Sequence, residues 1–224
     1  MFEKIKAKIE ELKELAMKGK QPPDLTQFND PLAEQTEWTP AKNGGTNIRT
    51  HKLVEKSPNR MAFRPTVGAM FFYLIFLFVG VGVSVGITVS ALSKGNFKPE
   101  LLIPIGIGCV FIVVGGCLTY FGSKPIIFDT MSGYFWKGYK DPERVFDINR
   151  IKHCVRLKEI HALQILSEYC SGNKSSYYSY ELNLVLEDGT RLNVIDHGNL
   201  KKLREDTAKL AKFLNKPVWD IARS

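Results

Sequence analysis

The residue types in this chain that could carry chemistry are few and scattered. The histidines are His51, His153, His161 and His197, and the cysteines are Cys109, Cys117, Cys154 and Cys170. Two neighbouring pairs stand out. Asp196-His197 has the composition of a carboxylate that orients an imidazole for proton transfer. His153-Cys154 has that of an imidazole beside an activated thiol. The plainer expectation for each is structural: a turn or cap at a strand-to-helix corner for Asp196-His197, and a small buried apolar group for Cys154. No Cys/His spacing suggests a zinc site. A glycine-rich phosphate loop ending in GK[ST] and HExxH do not occur, and the one GxSxG, Gly82-Val83-Ser84-Val85-Gly86, lies inside an uncharged run. The sequence therefore assigns no catalytic, cofactor-binding or metal-binding residue, and predicts a protein that is not an enzyme. The aromatic run Tyr177-Tyr178-Ser179-Tyr180, after Ser171-Gly172-Asn173-Lys174, could meet a partner, a headgroup or a base. The edge of a strand is the expected role.

The elements that would position these residues are dominated by two long uncharged runs. Residues 66–92 contain no charged side chain, and neither do residues 101–123. About 20 consecutive apolar residues suffice to cross a hydrocarbon core roughly 30 Å thick. The two runs are read as transmembrane helices joined by the short external loop 93–100, SKGNFKPE. The chain carries 31 Lys and Arg against 23 Asp and Glu, a net charge of +8. Lys52, Lys56, Arg60 and Arg64 precede the first run, and Lys124, Lys137, Lys140 and Arg144 follow the second. The loop holds only Lys94 and Lys98, opposed by Glu100. The positive-inside rule therefore predicts a two-span protein of the cell inner membrane with both termini cytoplasmic. The first 20 residues lack an apolar h-region, so a cleaved signal peptide is not expected. Free thiols in a reducing compartment are expected for the cysteines.

Neither run contains Asp, Glu, Lys, Arg or His, which argues against an ion pathway within this pair. The small residues Gly82 and Gly86 in the first run, extended by Gly80/Ser84 and Gly86/Ser90, and Gly106, Gly108, Gly115 and Gly116 in the second, suit close helix–helix packing. The favoured arrangement packs the two helices on each other; a homo-oligomer interface is the alternative. The basic residues Arg49, Lys52, Lys56, Arg60, Arg64 and Lys124 lie beside the runs and could touch anionic headgroups, at about 1 kcal/mol per residue near a surface. Ordinary positive-inside charge that sets topology and binds nothing specific is the expected reading. Nucleic-acid binding is not expected, because basic and acidic residues interleave.

Before the first run, Phe2, Ile5, Ile9, Leu12 and Ala16 repeat at spacings of three and four, so residues 1–20 are read as an amphipathic helix. It could dock on protein or lie on a membrane. Residues 21–46, rich in Pro and turn signals, read as a linker. Residues 47–64 read as a basic β-hairpin around Lys56-Ser57-Pro58-Asn59, either standing alone or joining a later sheet.

After the second run, short β-type segments follow at Pro125–Asp129, Gly133–Gly138, Val145–Ile148 and Ile160–Tyr169. The last of these would also suit a helix. In Tyr180–Glu187, Leu182, Leu184 and Leu186 alternate with Glu181, Asn183 and Glu187, the pattern of a half-buried strand. Asp188-Gly189 is a hairpin turn, and Leu192 and Val194 of the return strand point inward. Asn199 is placed to cap a final helix lined by Leu200, Leu203, Thr207, Leu210 and Leu214, with Asn215-Lys216-Pro217 as its stop. Trp219 is expected to fold back as an aromatic plug. The predicted class is an α+β membrane protein: a two-helix hairpin, then a cytoplasmic small barrel or sheet capped by a C-terminal helix.

The segments KPIIFDTMSGYFWKG (124–138), IHALQILSEY (160–169), YELNLVLEDGTRLNVIDHG (180–198) and LAKFLNKPVWD (210–220) resemble bacterial inner-membrane proteins that carry a PH-like domain after a two-helix hairpin. The resemblance covers the apolar pair and residues 124–224. It implies a PH-like fold there and no particular ligand. A membrane-anchored binding or scaffolding module is the function expected first, with the bilayer and an unidentified protein as partners. An accessory subunit of a transporter or envelope complex comes second. An enzyme with a site around Asp196, His197 and Cys154 comes third.

Overall fold

The computed structural model describes residues 24–42, 44–95, 98–147, 151–171 and 176–223. The expected helix over residues 1–20 lies outside them, as do Asn173 and Lys174 of the aromatic loop and Ile148 of an expected strand. The chain divides into two units, Met1–Thr36 and Glu37–Ser224. The first contains a 3-10 turn at Thr26–Phe28 and a short helix α1 at Pro31–Gln35. Asp30 caps α1 by accepting from the Leu32 amide at 3.0 Å.

The second unit is α+β, with two long apolar helices and two sheets. The expected hairpin forms as β1 (His51–Ser57) and β2 (Arg60–Pro65). It does not stand alone. β2 pairs antiparallel with β3 (Ile126–Asp129), with Phe63 opposite Ile126 and Arg60 opposite Asp129. β4 (Tyr134–Lys137) and β5 (Cys154–Arg156) complete a five-stranded antiparallel sheet in the order β1-β2-β3-β4-β5.

Between β2 and β3 the chain leaves as helix α2 (Val67–Ser93) and returns as α3 (Leu102–Gly122), so the sheet clamps both ends of the helix pair side by side. Thr66 caps α2: its hydroxyl accepts from the Ala69 amide at 3.2 Å and donates to the Arg49 carbonyl at 3.0 Å. Both helices are long and apolar enough to cross a membrane, and few of their residues are buried within the chain: Ala69, Gly80, Ser84 and Ala91 of α2, Gly108 and Gly115 of α3. They meet through small residues. A Cβ on Gly80 would come within 2.6 Å of the Gly108 carbonyl oxygen and the Ile112 nitrogen, and one on Gly115 within 2.9 Å of the Leu77 Cα. Ser84 donates across the contact to the Ile105 carbonyl at 3.3 Å.

The second sheet runs β8-β7-β6-β9. β6 (Ile160–Ser171) and β7 (Ser176–Leu186) pair antiparallel, and β8 (Arg191–His197) pairs antiparallel with β7. β9 (Val218–Asp220) adds parallel to β6, with Trp219 opposite Gln164. Trp219 folds back as a buried strand residue, its ring tilted against Trp38 at 5.9 Å and His161 at 5.6 Å. Helix α4 (Leu200–Leu214) is capped by Asn199, whose side chain accepts from the Lys202 amide at 2.9 Å. One core joins both sheets and α4: Phe63, Phe128 and Phe135 from the first, Leu163, Ile165, Leu182 and Leu184 from the second, Leu203 and Leu210 from the helix.

Two expectations need correction. The strands after α3 do not close into a barrel; they divide between two sheets. Of the expected strand Val145–Ile148, the described residues Val145–Asp147 are not a strand, and Phe146 is fully exposed there.

Candidate functional site

The segment expected to be a linker is, in its second half, a strap over the outer face of the β6–β8 sheet. The alternation in β7 turns Leu182 and Leu184 to the core and Glu181 and Asn183 to the other face. That face is covered, not wet: Glu181 is 2% exposed and Asn183 0%. The Glu181 carboxylate accepts from the Ala41 amide at 2.8 Å and the Lys42 amide at 2.9 Å. It also accepts from Asn183 Nδ2 at 3.1 Å and Asn193 Nδ2 at 2.7 Å. Glu168 takes the Gly44 and Gly45 amides, and Ser179 Oγ accepts from the Thr46 amide at 2.9 Å. Arg191 pairs with Glu37 at 2.9 Å and donates to the Thr39 carbonyl. Gly45 approaches so closely that a Cβ would overlap Ser179 and come within 2.9 Å of Glu168.

The strap carries Lys42 to the rim of a cavity of about 600 Å³. Several parts of the second unit build it. The strap gives Lys42, and Thr50 and the first residue of β1, His51, follow. Tyr73 of α2 and Phe121 of α3 form an aromatic wall where the apolar helices end, followed by Lys124. The first sheet and the loop before β5 contribute Lys137, Lys152 and His153, and β8 contributes Asn193 and Asp196. The lining therefore holds four lysines and one carboxylate.

The electrostatics follow from burial. Lys137 is driven down to about 8, by burial first and the Lys42 charge next, with Asp196 and Glu181 opposing. Burial, then the Lys137 charge, brings His51 down to about 4, and the same two causes lower His153. The His51 imidazole is thus neutral at pH 7. Asp196 is paired with Lys42 at 3.5 Å and accepts from Asn193 at 3.1 Å. Lys137 donates to Asn193 Oδ1 at 3.4 Å, and the Lys124 ammonium lies 4.5 Å from the Phe121 ring centroid. What the arrangement does chemically is gather four lysine side chains around one recess beside the apolar helices.

The other sequence-selected residues are placed as follows. Arg49 is tied to Asp206 at 3.0 Å, and Arg60 is held by Asp129 and lies 5.6 Å over Trp136. Lys52 and Lys56 are exposed, and Arg64 lies opposite Lys52 on the β1–β2 ladder. Of the six, only Lys124 lines the cavity. Among the four selected glycines, Gly115 is in the α2–α3 contact, whereas a Cβ on Gly82, Gly86 or Gly116 would meet nothing within 4 Å.

Asp196 and His197 turn to opposite sides of β8. His197 is fully buried, and its Nδ1 accepts from the Asn199 amide at 2.9 Å, a turn role at the strand-to-helix corner. Cys154 pairs with Trp136 in the other sheet, and burial, with Glu159 adding, raises its thiol pKa, which disfavours the thiolate. Among the described residues no three His, Cys, Asp or Glu side chains cluster as a metal site.

Sequence reasoning missed the strap, Lys42, Lys152 and the cavity itself. The one available signal was the dense run of turn formers between Trp38 and Asn47, which suits a closely fitted segment as well as a loose one. Compared with protein families, with curated proteins and with solved structures, the chain finds no match.

Proposed function

We propose that the chain is a non-catalytic membrane-anchored binding or scaffolding module. In this reading α2 and α3 cross the inner membrane of a bacterium as a hairpin, and the two-sheet unit works at the cytoplasmic surface. One observation carries the reading: apolar side chains such as Phe71, Phe78, Ile103 and Val113 stand exposed along both helices. A soluble protein rarely leaves so large a continuous apolar surface uncovered. The lysine-rich residues on the domain side of both helices support the cytoplasmic placement. A PH-like assignment for the domain belongs to the same proposal, supported by two mainly antiparallel sheets sharing one core with an amphipathic C-terminal helix.

Crosslinking in native membranes, followed by mass spectrometry, tests it. The expected result is recovery of a protein partner or a second copy joined through domain lysines. A chain released from membranes by alkaline carbonate, or one giving no crosslinked partner and no association with liposomes, overturns it. A second reading, an accessory subunit of a transporter or envelope complex, is favoured by the open faces of Gly82, Gly86 and Gly116, where another helix could approach closely. Crosslinks from that face to a polytopic protein would select this reading.

A further inference from the structure

We infer that the cavity between the strap, the helix ends and β8 is a binding site for a phosphate group, carried either by a glycerophospholipid headgroup or by a soluble phosphate ester. The lipid source rests on the membrane reading above; the soluble source does not.

The charge balance is the first argument. Four lysines face one cavity with one carboxylate, Asp196, and that carboxylate is already engaged by Lys42 and Asn193. The other nearby acid, Glu181, is saturated by four N–H donors from the strap, Asn183 and Asn193. Among the described residues, neither Lys124, Lys137 nor Lys152 forms an ion pair. Lys137 has only the neutral Asn193 oxygen within reach, at 3.4 Å. Burying an ammonium without a counterion is costly, and an incoming anion removes that cost.

The second argument is the donor set. A phosphate presents three or more acceptor oxygens, and lysine serves such groups as a mobile point charge. The His153 ring lines the same space and can supply a further hydrogen bond, while the Thr50 hydroxyl and His51 Nδ1 hold each other at 3.0 Å on the cavity wall. The volume of about 600 Å³ is in the range of small-ligand sites and exceeds a bare phosphate, so a larger ester fits.

The third argument is position. Tyr73 and Phe121 belong to the helices whose apolar flanks are exposed, and Lys124 follows the end of α3 by two residues. A ligand with a phosphate in the cavity could lay acyl chains along those flanks. A headgroup site at the boundary between apolar helix and basic domain has this form.

The test uses the full chain and three variants: Lys137→Met, Lys152→Gln on the exposed loop, and Lys209→Gln, an exposed α4 lysine away from the cavity, as control. In detergent, inorganic phosphate and glycerol 3-phosphate are titrated and binding is read by calorimetry. In nanodiscs, native mass spectrometry compares retention of phosphatidylglycerol with phosphatidylcholine. The expected result is saturable binding in at least one arm, weakened about five-fold by Lys152→Gln and at least that much by Lys137→Met, with Lys209→Gln unchanged. Selective retention of phosphatidylglycerol with no binding of the soluble anions identifies the lipid source. Binding of the soluble anions without lipid preference identifies a free ester. No saturable binding in either arm, or equal weakening by Lys209→Gln, overturns the inference. Because the detergent arm needs no bilayer, soluble-anion binding by a chain that carbonate strips from membranes would sink the membrane reading and leave this site standing.

Discussion

Replacing Glu181 by Gln should free the strap while leaving the core of the domain intact. The carboxylate is 2% exposed and takes four N–H donors, two at each oxygen: the Ala41 and Asn183 donors at Oε2, the Lys42 and Asn193 donors at Oε1. Glutamine keeps one oxygen and turns the other into an amide that is itself a donor. In either orientation two N–H groups lose their acceptor and face a third. Hydrogen bonds to a charged group contribute about 1.5–3 kcal/mol each, so the gross loss is about 3–6 kcal/mol. The Ala41 and Lys42 segment is exposed on its outer side and can turn its amides to water, which brings the net cost to about 2–4 kcal/mol. For a unit of this size that lowers the melting temperature by about 5–15 °C. Hydrogen-exchange mass spectrometry is the sharper assay. Amides of residues 37–46 should lose most of their protection in Glu181→Gln, while the β7 amides facing β6 keep theirs. Unchanged strap protection with a melting shift under about 1 °C would refute the clamp. So would equal loss of protection in the strap and in the strands.

Gly115→Val forces a branched side chain against the Leu77 backbone and should destabilise the α2–α3 contact by about 1–3 kcal/mol, read by thermal unfolding in detergent; Gly82→Val, facing open space, should cost far less. Folded His51 titrates near 4 against 6.5 unfolded, so its contribution is complete above pH 6.5 and is lost as pH falls toward 4, at up to about 1.4 kcal/mol per pH unit. Denaturation of wild type and His51→Gln across that window isolates the effect, and parallel pH profiles would contradict it. Asn199→Ala removes the α4 cap and should cost about 1 kcal/mol in chemical denaturation. Trp219→Ala should cost about 3–5 kcal/mol by the same measurement, because the indole is 1% exposed between Trp38 and His161.

Local rules made much of the domain readable. The β7–β8 hairpin follows from the Leu182/Leu184 alternation and the Asp188-Gly189 turn, where Gly189 has φ of 78°. Asn199 and Asn215 mark the ends of α4, Asn215 in a left-handed conformation that stops it. What lay beyond reading depends on distant partners. The strap looks like a linker because its hydrogen bonds end on residues more than 120 positions away. The run of small residues from Gly80 to Ser90 marks faces suited to close approach without saying which one is used. Gly82 and Gly86 form a GxxxG, yet Gly80 and Ser84, two positions earlier, make the contact. β9 is three residues long and pairs in parallel, too short for periodicity to register. In the same way, the lysines of the cavity come from segments that look like dispersed surface charge until the two sheets and the helix ends converge.

Protease protection in oriented membrane vesicles tests the central claim most directly. If α2 and α3 cross the bilayer with the domain in the cytoplasm, trypsin should cut the domain in inverted vesicles and spare it in right-side-out ones, with both helices remaining in the membrane pellet. Digestion of the domain from outside intact right-side-out vesicles, or recovery of the whole chain in the soluble fraction, would contradict it.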